Sequence, residues 1–303
     1  MLDRRRFLGV AASVPLLLGA RRAGAKPVKE DTMLTKPVPK TGEALPVVGL
    51  GTYSTFDVGP EKRGPLVEVM RRFVELGGRI IDSSPMYNQS EATVGDLLGR
   101  IASASGRPKV FLATKVWTTG KEKGVAEMAR SAQLMGARIE LMQIHNLLDW
   151  RTHLPTLQTM KADGRIRYIG LTHYSTSAFG EMELIMKTGA IDFIQVPYSL
   201  VSREAEKRIL PAAIDQKVAV LVMEPFERGS LFERTRGKAV PAFATELGCA
   251  SWAQVFLKFI IGHPAVTAPI PATSNAKHLE DNMGAGRGPL PSESDRKKMV
   301  ALL

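Results

Sequence analysis

Four side chains of this sequence can share one piece of acid–base chemistry: Asp82, Tyr87, Lys115 and His145. Asp82, Lys115 and His145 each close a short apolar run, and Tyr87 follows Asp82 by five positions. A charged group that ends an otherwise apolar strand is costly unless it is paired, and four such groups on one rim can satisfy one another. Singly, each has a plainer reading: Asp82 as a helix cap, His145 as a satisfied rim histidine, Tyr87 as packing. Together they make a proton donor. A free tyrosine titrates near 10, too high to respond well at neutral pH. Lys115 beside it is expected to lower that value by stabilising phenolate, while Asp82 keeps Lys115 charged and in place. A neutral His145 would donate a hydrogen bond that orients a reacting oxygen. Reduction of a carbonyl needs this set, because negative charge builds on oxygen as a cofactor delivers hydride.

The competing chemistry is a metal centre using His145, Asp82 and His173. A lysine and a tyrosine in the same rim argue against it, and no compact His/carboxylate ligand set is evident. The single cysteine, Cys249, excludes an intrachain disulfide and a multi-cysteine metal site. It falls in a run read as helix over Glu246–Ile261, which makes a small packed side chain its simplest role.

The elements that must position these groups follow from the apolar periodicity. Short β-branched runs alternate with longer stretches of helical period. The strand candidates are Val47–Gly51, Arg79–Asp82, Val110–Lys115, Ile139–His145, Tyr168–Leu171, Phe193–Val196, Ala219–Val222 and Val266–Ile270. Amphipathic segments such as Pro65–Leu76, Ala92–Ile101, Ala126–Met135, Leu154–Ala162 and Glu204–Gln216 lie between them. Eight strands, each followed by a helix, imply a parallel sheet, and eight is the number that closes a barrel. The expected fold class is α/β, a (β/α)8 TIM barrel forming a single domain over 45–303. Active sites of such barrels lie at the C-terminal ends of the strands, where these four residues fall.

Of the net charge of +11, five arginines and one aspartate in the first 25 residues contribute +4, leaving +7 spread among matched acids. No basic run is interleaved with aromatics, so a nucleic-acid partner is not expected. Residues Met1–Ala25 have a charged head, an apolar run from Phe7 to Ala20 and a small-residue end at Ala23-Gly24-Ala25, the layout of a secretory signal. That run is short for a bilayer span, so membrane contact is expected only through the signal. Arg4-Arg5-Arg6-Phe7-Leu8 resembles the twin-arginine export signal, which implies a periplasmic protein exported already folded. A basic, disordered N-terminal tail is the alternative. Residues 26–44, rich in Pro, Lys and Thr, read as a linker.

From about Val47 to Asn282 the sequence resembles the aldo-keto reductases. Gly49-Leu50-Gly51-Thr52-Tyr53 is similar to the family's first strand and turn. Ile81-Asp82-Ser83-Ser84-Pro85-Met86-Tyr87, followed by Ser90-Glu91 and Gly95, is similar to the segment bearing its catalytic Asp and Tyr. Thr114-Lys115 resembles the lysine strand, Gln143-Ile144-His145 the histidine strand, and Gly164 through Gly170 the lead-in to the fifth. The stretch from Ile270-Pro271 to Glu280-Asp281-Asn282 resembles the grip on the adenosine phosphate. The resemblance implies catalytic roles for Asp82, Tyr87, Lys115 and His145, and a cofactor of NADPH with NAD as a second possibility. His145 implies a carbonyl substrate, since members that reduce carbon–carbon double bonds carry glutamate there.

It also implies the cofactor contacts: Gly51, Thr52, Tyr53 and Asp82 on the early strands, and Ile270, Thr273, Ser274, His278, Asp281 and Asn282 near the end. Thr172-His173 stands where the family usually has Ser-Asn to hold the nicotinamide carboxamide. Thr172 can still donate and accept, while His173 either replaces the amide or faces elsewhere. Gln195 matches the other carboxamide ligand. Met223, with Pro225 and Phe226 following, stands where an aromatic usually covers the ring. His278, beside Lys277, takes the position of a common arginine, and a histidine is only partly charged at neutral pH, which weakens the preference for a 2′-phosphate. Trp117, Trp150 and Tyr53 are candidate pocket walls. The expected partner is a small carbonyl compound, and the expected state a monomer or weak oligomer. The alternative function is a nicotinamide-binding sensor or accessory subunit with little turnover.

Overall fold

The computed structural model describes residues 32–303; the segment read as an export signal, 1–25, and residues 26–31 lie outside them. A β-hairpin, β1 (Thr35–Pro37) and β2 (Ala44–Pro46), precedes eight short strands: β3 (Leu50–Gly51), β4 (Ile80–Asp82), β5 (Phe111–Val116), β6 (Leu141–His145), β7 (Tyr168–Thr172), β8 (Phe193–Pro197), β9 (Ala219–Met223) and β10 (Val266–Pro269). The eight pair in chain order and in parallel. The ring closes where Gly49 N–H donates to Pro269 O at 2.9 Å and Gly51 N–H to Pro271 O at 3.2 Å. Glycine is required at this seam, because a Cβ on Gly51 would sit 2.5 Å from the Ile270 carbonyl oxygen. The result is the expected (β/α)8 barrel in one domain.

Helices wrap the outside through one apolar stripe each. The helix Gly64–Glu75 buries Leu66, Val69, Met70 and Phe73, spaced as one face of a 3.6-residue period. Two helices differ from the sequence reading. The stretch Glu204–Gln216 is broken into Glu204–Lys207 and Ile209–Asp215. Pro211 has no N–H for the Lys207 carbonyl and its ring crowds that carbonyl, so the chain kinks at Arg208. The helix expected over Glu246–Ile261 begins only at Trp252, where the Ser251 side chain accepts from Gln254 N–H. Cys249 lies in the preceding turn, buried, and its thiol is pushed up to about 11 by that burial. It is packing.

The segment read as a linker is, over its described part, a plug for the N-terminal mouth of the barrel. Val38 and Leu45 of the hairpin are fully buried in one cluster with the inward residues Ile80, Phe111, Leu141 and Phe193. Lys36 Nζ donates to the carbonyls of Ile261, His263 and Val266 at 2.5, 2.9 and 2.8 Å. Lys40 does the same for Gly189 and Ile191. Lys36 and Lys40, which suggested a linker, are hydrogen-bond donors to carbonyls at helix ends, strand ends and turns.

Strand parity places the chemistry. Side chains alternate faces along a strand, and the bottom inward layer is apolar: Ile80, Phe111, Leu141, Tyr168, Phe193 and Ala219. Their outward neighbours Ile81, Leu112, Met142, Ile169, Ile194 and Val220 join the core beneath the helices. Two or four residues further along the same inward rows come Asp82, Lys115, Gln143, His145, Thr172 and Gln195. Register brings them level, with Lys115 opposite Gln143, His145 opposite Thr172, and Thr172 opposite Gln195.

Candidate active site

Lys115 is wholly buried, and its ammonium donates to Asp82 Oδ2 at 2.6 Å and to the Ser83 carbonyl at 2.7 Å. Burial pulls its pKa down, but the charges of Asp82 and Tyr87 more than reverse that, so it stays protonated above its ordinary value. The other oxygen of Asp82 accepts from Gln143 Nε2 at 2.8 Å. Gln143 was quoted in the histidine strand without a role; it anchors the carboxylate from below. Its only clue in sequence is parity, two residues before His145. Gly170 makes room for it, since a Cβ there would meet Gln143 Cγ at 2.7 Å.

Tyr87 arrives on a turn of 3-10 helix, Pro85–Tyr87, begun by Ser84, whose side chain accepts from Met86 N–H. The Lys115 ammonium lies 5.0 Å from the centre of the Tyr87 ring. The expected net lowering of the phenol is not what this site produces. Burial raises the Tyr87 pKa and outweighs the pull of Lys115, whose charge Asp82 partly cancels. His145 is pushed down to about 3, by burial first and then by the charges of Lys115 and His173. It is therefore neutral at physiological pH, as the chemistry requires. Ser84 Oγ lies 3.0 Å from His145 Nδ1.

Above this layer opens a cavity of about 1040 Å³. Tyr87, His145 and Asp82 line it, with Lys115 behind them. Tyr53 stands edge-on to Tyr87 at 5.1 Å, and Trp117 lies 4.8 Å from the His145 ring. Tyr174, Met86 and Asn146, none of them expected, complete the wall around the two reactive rings. Trp150 does not; its indole donates to Glu181 Oε1 at 2.8 Å, and Arg151 stacks on its ring.

The long arm of the cavity follows the expected cofactor residues. Gly51 and Thr52 at the seam, Met223, Pro225 and Phe226 after the seventh barrel strand, and Ile270, Thr273, His278, Asp281 and Asn282 after the eighth all line it. The Thr52 hydroxyl is committed to Asp82 O and Ser83 Oγ, and Asp281 accepts from Gln254 Nε2 at 2.7 Å. Phe226 packs edge-wise with Phe232 and Phe256. Thr172 donates to Gln195 Oε1 at 3.3 Å. Among the described residues that leaves Gln195 Nε2 buried with no partner, a donor that an amide oxygen would satisfy. Two expected contacts are not among the lining residues, His173 and Ser274. His173 Nδ1 accepts from Ser175 N–H at 2.9 Å, and its ring stacks on Tyr174, so the tyrosine takes the wall instead. Among the described residues, no group of three or more His, Cys, Asp or Glu is placed to share a metal ion.

Residues 47–297 match the model of the aldo/keto reductase family. The chain belongs to that family. As an aldo/keto reductase it is an NAD(P)-dependent oxidoreductase. It is 28% identical over 252 residues to methylglyoxal reductase YeaE of Escherichia coli (strain K12), covering 79% of this chain and 84% of that one. An NADH-specific methylglyoxal reductase of the same organism is 27% identical, covering 64% and 68%. Its barrel superposes on an aldo/keto reductase from Klebsiella pneumoniae in complex with NADP and acetate at a TM-score of 0.72, with 22% identity, covering 86% of this chain and 92% of that one.

Proposed function

We propose that this aldo/keto reductase reduces aldehydes or ketones, with NADPH as its main cofactor, NADH as a second, and Tyr87 as the proton donor. The observation that carries this is the buried pair Lys115 and Asp82 beside a half-buried Tyr87 and a neutral His145 at one cavity. A bound reduced nicotinamide supplies the hydride, and the unpartnered Gln195 Nε2 would hold its carboxamide. Neutral His145 offers a hydrogen bond to the carbonyl oxygen without adding charge. Tyr87 delivers its proton there as negative charge develops, and Lys115 steadies the phenolate left behind. Asp82, itself held by Gln143, keeps Lys115 in place. The same cavity is lined by Tyr53, Met86, Trp117, Tyr174 and Asn146, with the ion-paired Glu224 and Arg228 also on it, a lining that accepts small carbonyls. The two methylglyoxal reductases among its relatives support that class.

The test is titration of NADPH and NADH by fluorescence, then absorbance assays with methylglyoxal and an aromatic aldehyde. Turnover that needs Tyr87 supports the reading. Tight cofactor binding, no carbonyl turnover and no effect of Tyr87→Phe would sink it. The second reading, a nicotinamide-binding sensor, draws on Met223 and the Phe226 ring packed with Phe232 and Phe256, which leave the nicotinamide site without an obvious stacking aromatic. It expects very slow cofactor exchange and a stable protein partner.

We also infer export by the twin-arginine route from Arg4-Arg5-Arg6-Phe7-Leu8. Replacing Arg4 and Arg5 by lysine should hold the folded chain in the cytoplasm on fractionation. A periplasmic fraction unchanged by that replacement rejects the inference.

A further inference from the structure

We propose that Ser84 fixes the tautomer of His145, making Nε2 the nitrogen that carries the proton and faces the cavity, and so acts as a positioning residue for carbonyl reduction. The functional meaning rests on the reaction proposed above; the tautomer itself does not.

Ser84 is fully buried. A serine hydroxyl has one proton to give and two lone pairs to offer. One lone pair is taken by Met86 N–H, which donates to Oγ at 3.2 Å. Among the described residues, the other hydrogen-bond partner of Oγ is His145 Nδ1, at 3.0 Å. If Nδ1 carried a proton, two donors would point at Oγ and the hydroxyl proton would have no acceptor among the described residues, at a side chain with no surface exposed to solvent. Buried donors seldom go unpaired, and leaving one so costs about 1–3 kcal/mol. The arrangement that satisfies every group is Oγ–H donating to Nδ1. A neutral imidazole holds one ring proton, so it must sit on Nε2.

The consequence reaches the chemistry. His145 lines the cavity, and Nε2–H gives a carbonyl oxygen a donor there. The other tautomer would present a lone pair to that oxygen and repel it. Ser84 also starts the short turn that delivers Tyr87. One hydroxyl thus sets the place of the proton donor and the direction of its hydrogen-bonding companion. The sequence hint is slight: a serine directly before Pro85, in a segment otherwise read for Asp82 and Tyr87.

Because Ser84 caps the turn of Tyr87, a loss of activity alone would not separate its two roles. The decisive measurement is the ¹⁵N spectrum of histidine-labelled, cofactor-free protein, with His145 assigned by its disappearance in His145→Asn. Wild type should show an unprotonated Nδ1 and a protonated Nε2 from about pH 5 to 8. Ser84→Thr keeps the hydroxyl and should keep that pattern, with kcat within a few-fold. Ser84→Ala should give mixed or reversed tautomers and a fall in kcat of roughly 10- to 1000-fold, of the order seen when one donor to a developing oxyanion is lost. A wild-type proton on Nδ1 overturns the proposal, whether or not the variants fold. So does an unchanged tautomer in Ser84→Ala. Should the tautomer behave as stated while no carbonyl is turned over, the reaction assignment fails and the Ser84 assignment stands.

Discussion

Lys115 has no water to fall back on, so its charge depends on the Asp82 carboxylate and the Ser83 carbonyl that it touches. Removing one partner of a buried ion pair strands the other, at about 3–5 kcal/mol. Lys115→Met should therefore lower stability by that order, and Asp82→Asn with Lys115→Met together by clearly less than the sum of the two singles. Chemical denaturation of the three variants checks this; additive losses would mean that the pair is not coupled. Tyr87→Phe tests the proton. It removes one hydroxyl, so folding and NADPH affinity should hold while kcat falls about 10²- to 10⁴-fold. These residues were legible in the sequence because Asp82, Lys115 and His145 each end an apolar run, Tyr87 follows Asp82 closely, and all four types serve one reaction. The net direction of the Tyr87 shift was not. It depends on how deeply the ring is buried against how fully Asp82 cancels Lys115, and neither depth nor distance is written in a residue type. The side chains of His173 and Trp150 could not be placed for a related reason: a polar aromatic near the rim can face the cavity or another partner, and Ser175 N–H in the same loop decided the first and Glu181 on the following helix the second.

Among the elements, the barrel strands declared themselves as short apolar runs, and parity along them accounts for the polar layer from Asp82 to Gln195. Gln143 was missed because it served parity without belonging to the expected set. The hairpin was missed because Pro, Lys and Thr make a strand of three residues look like a tether. Its large apolar side chains are only Val38 and Leu45, too few for a periodicity window to detect, although both are fully buried. Their burial against the inward strand residues carries a prediction that a tether would not obey. Leu45→Ala should cost about 2–5 kcal/mol, as truncation of a buried leucine does in other cores. Thermal or chemical unfolding measures it, and a change under about 0.5 kcal/mol would place the hairpin outside the cooperative core. Activity at a temperature well below the transition should be nearly unchanged, because the plug closes the end of the barrel opposite the site.

For the molecule as a whole, the pH dependence of stability follows from histidines that the fold keeps neutral. His145 falls from 6.5 to about 3 and His263 to about 4, both chiefly through burial. Between those folded values and 6.5, the unfolded chain binds protons that the folded chain refuses. Stability depends on pH through that difference in bound protons and rises with pH wherever the unfolded state holds more. Each histidine thus leaves stability intact above about 6.5 and erodes it as the pH falls toward 3 or 4. Carboxylates that lose their partners in acid add to the same trend, so the raw curve does not isolate either ring. The variants do. His145→Asn and His263→Asn should each flatten the fall in Tm between pH 6.5 and 4 relative to wild type, whatever they do to Tm at pH 8, and the double variant should flatten it further. The two sites lie on different elements, so their effects should add to within a few tenths of a kcal/mol. An unaltered slope in His145→Asn would mean that this ring takes up its proton near 6.5 in the folded protein as in the unfolded one, and is charged below that pH. A charged imidazole has donors on both nitrogens, and the neutral hydrogen-bond donor on which the reaction and the role of Ser84 both depend would then be absent there.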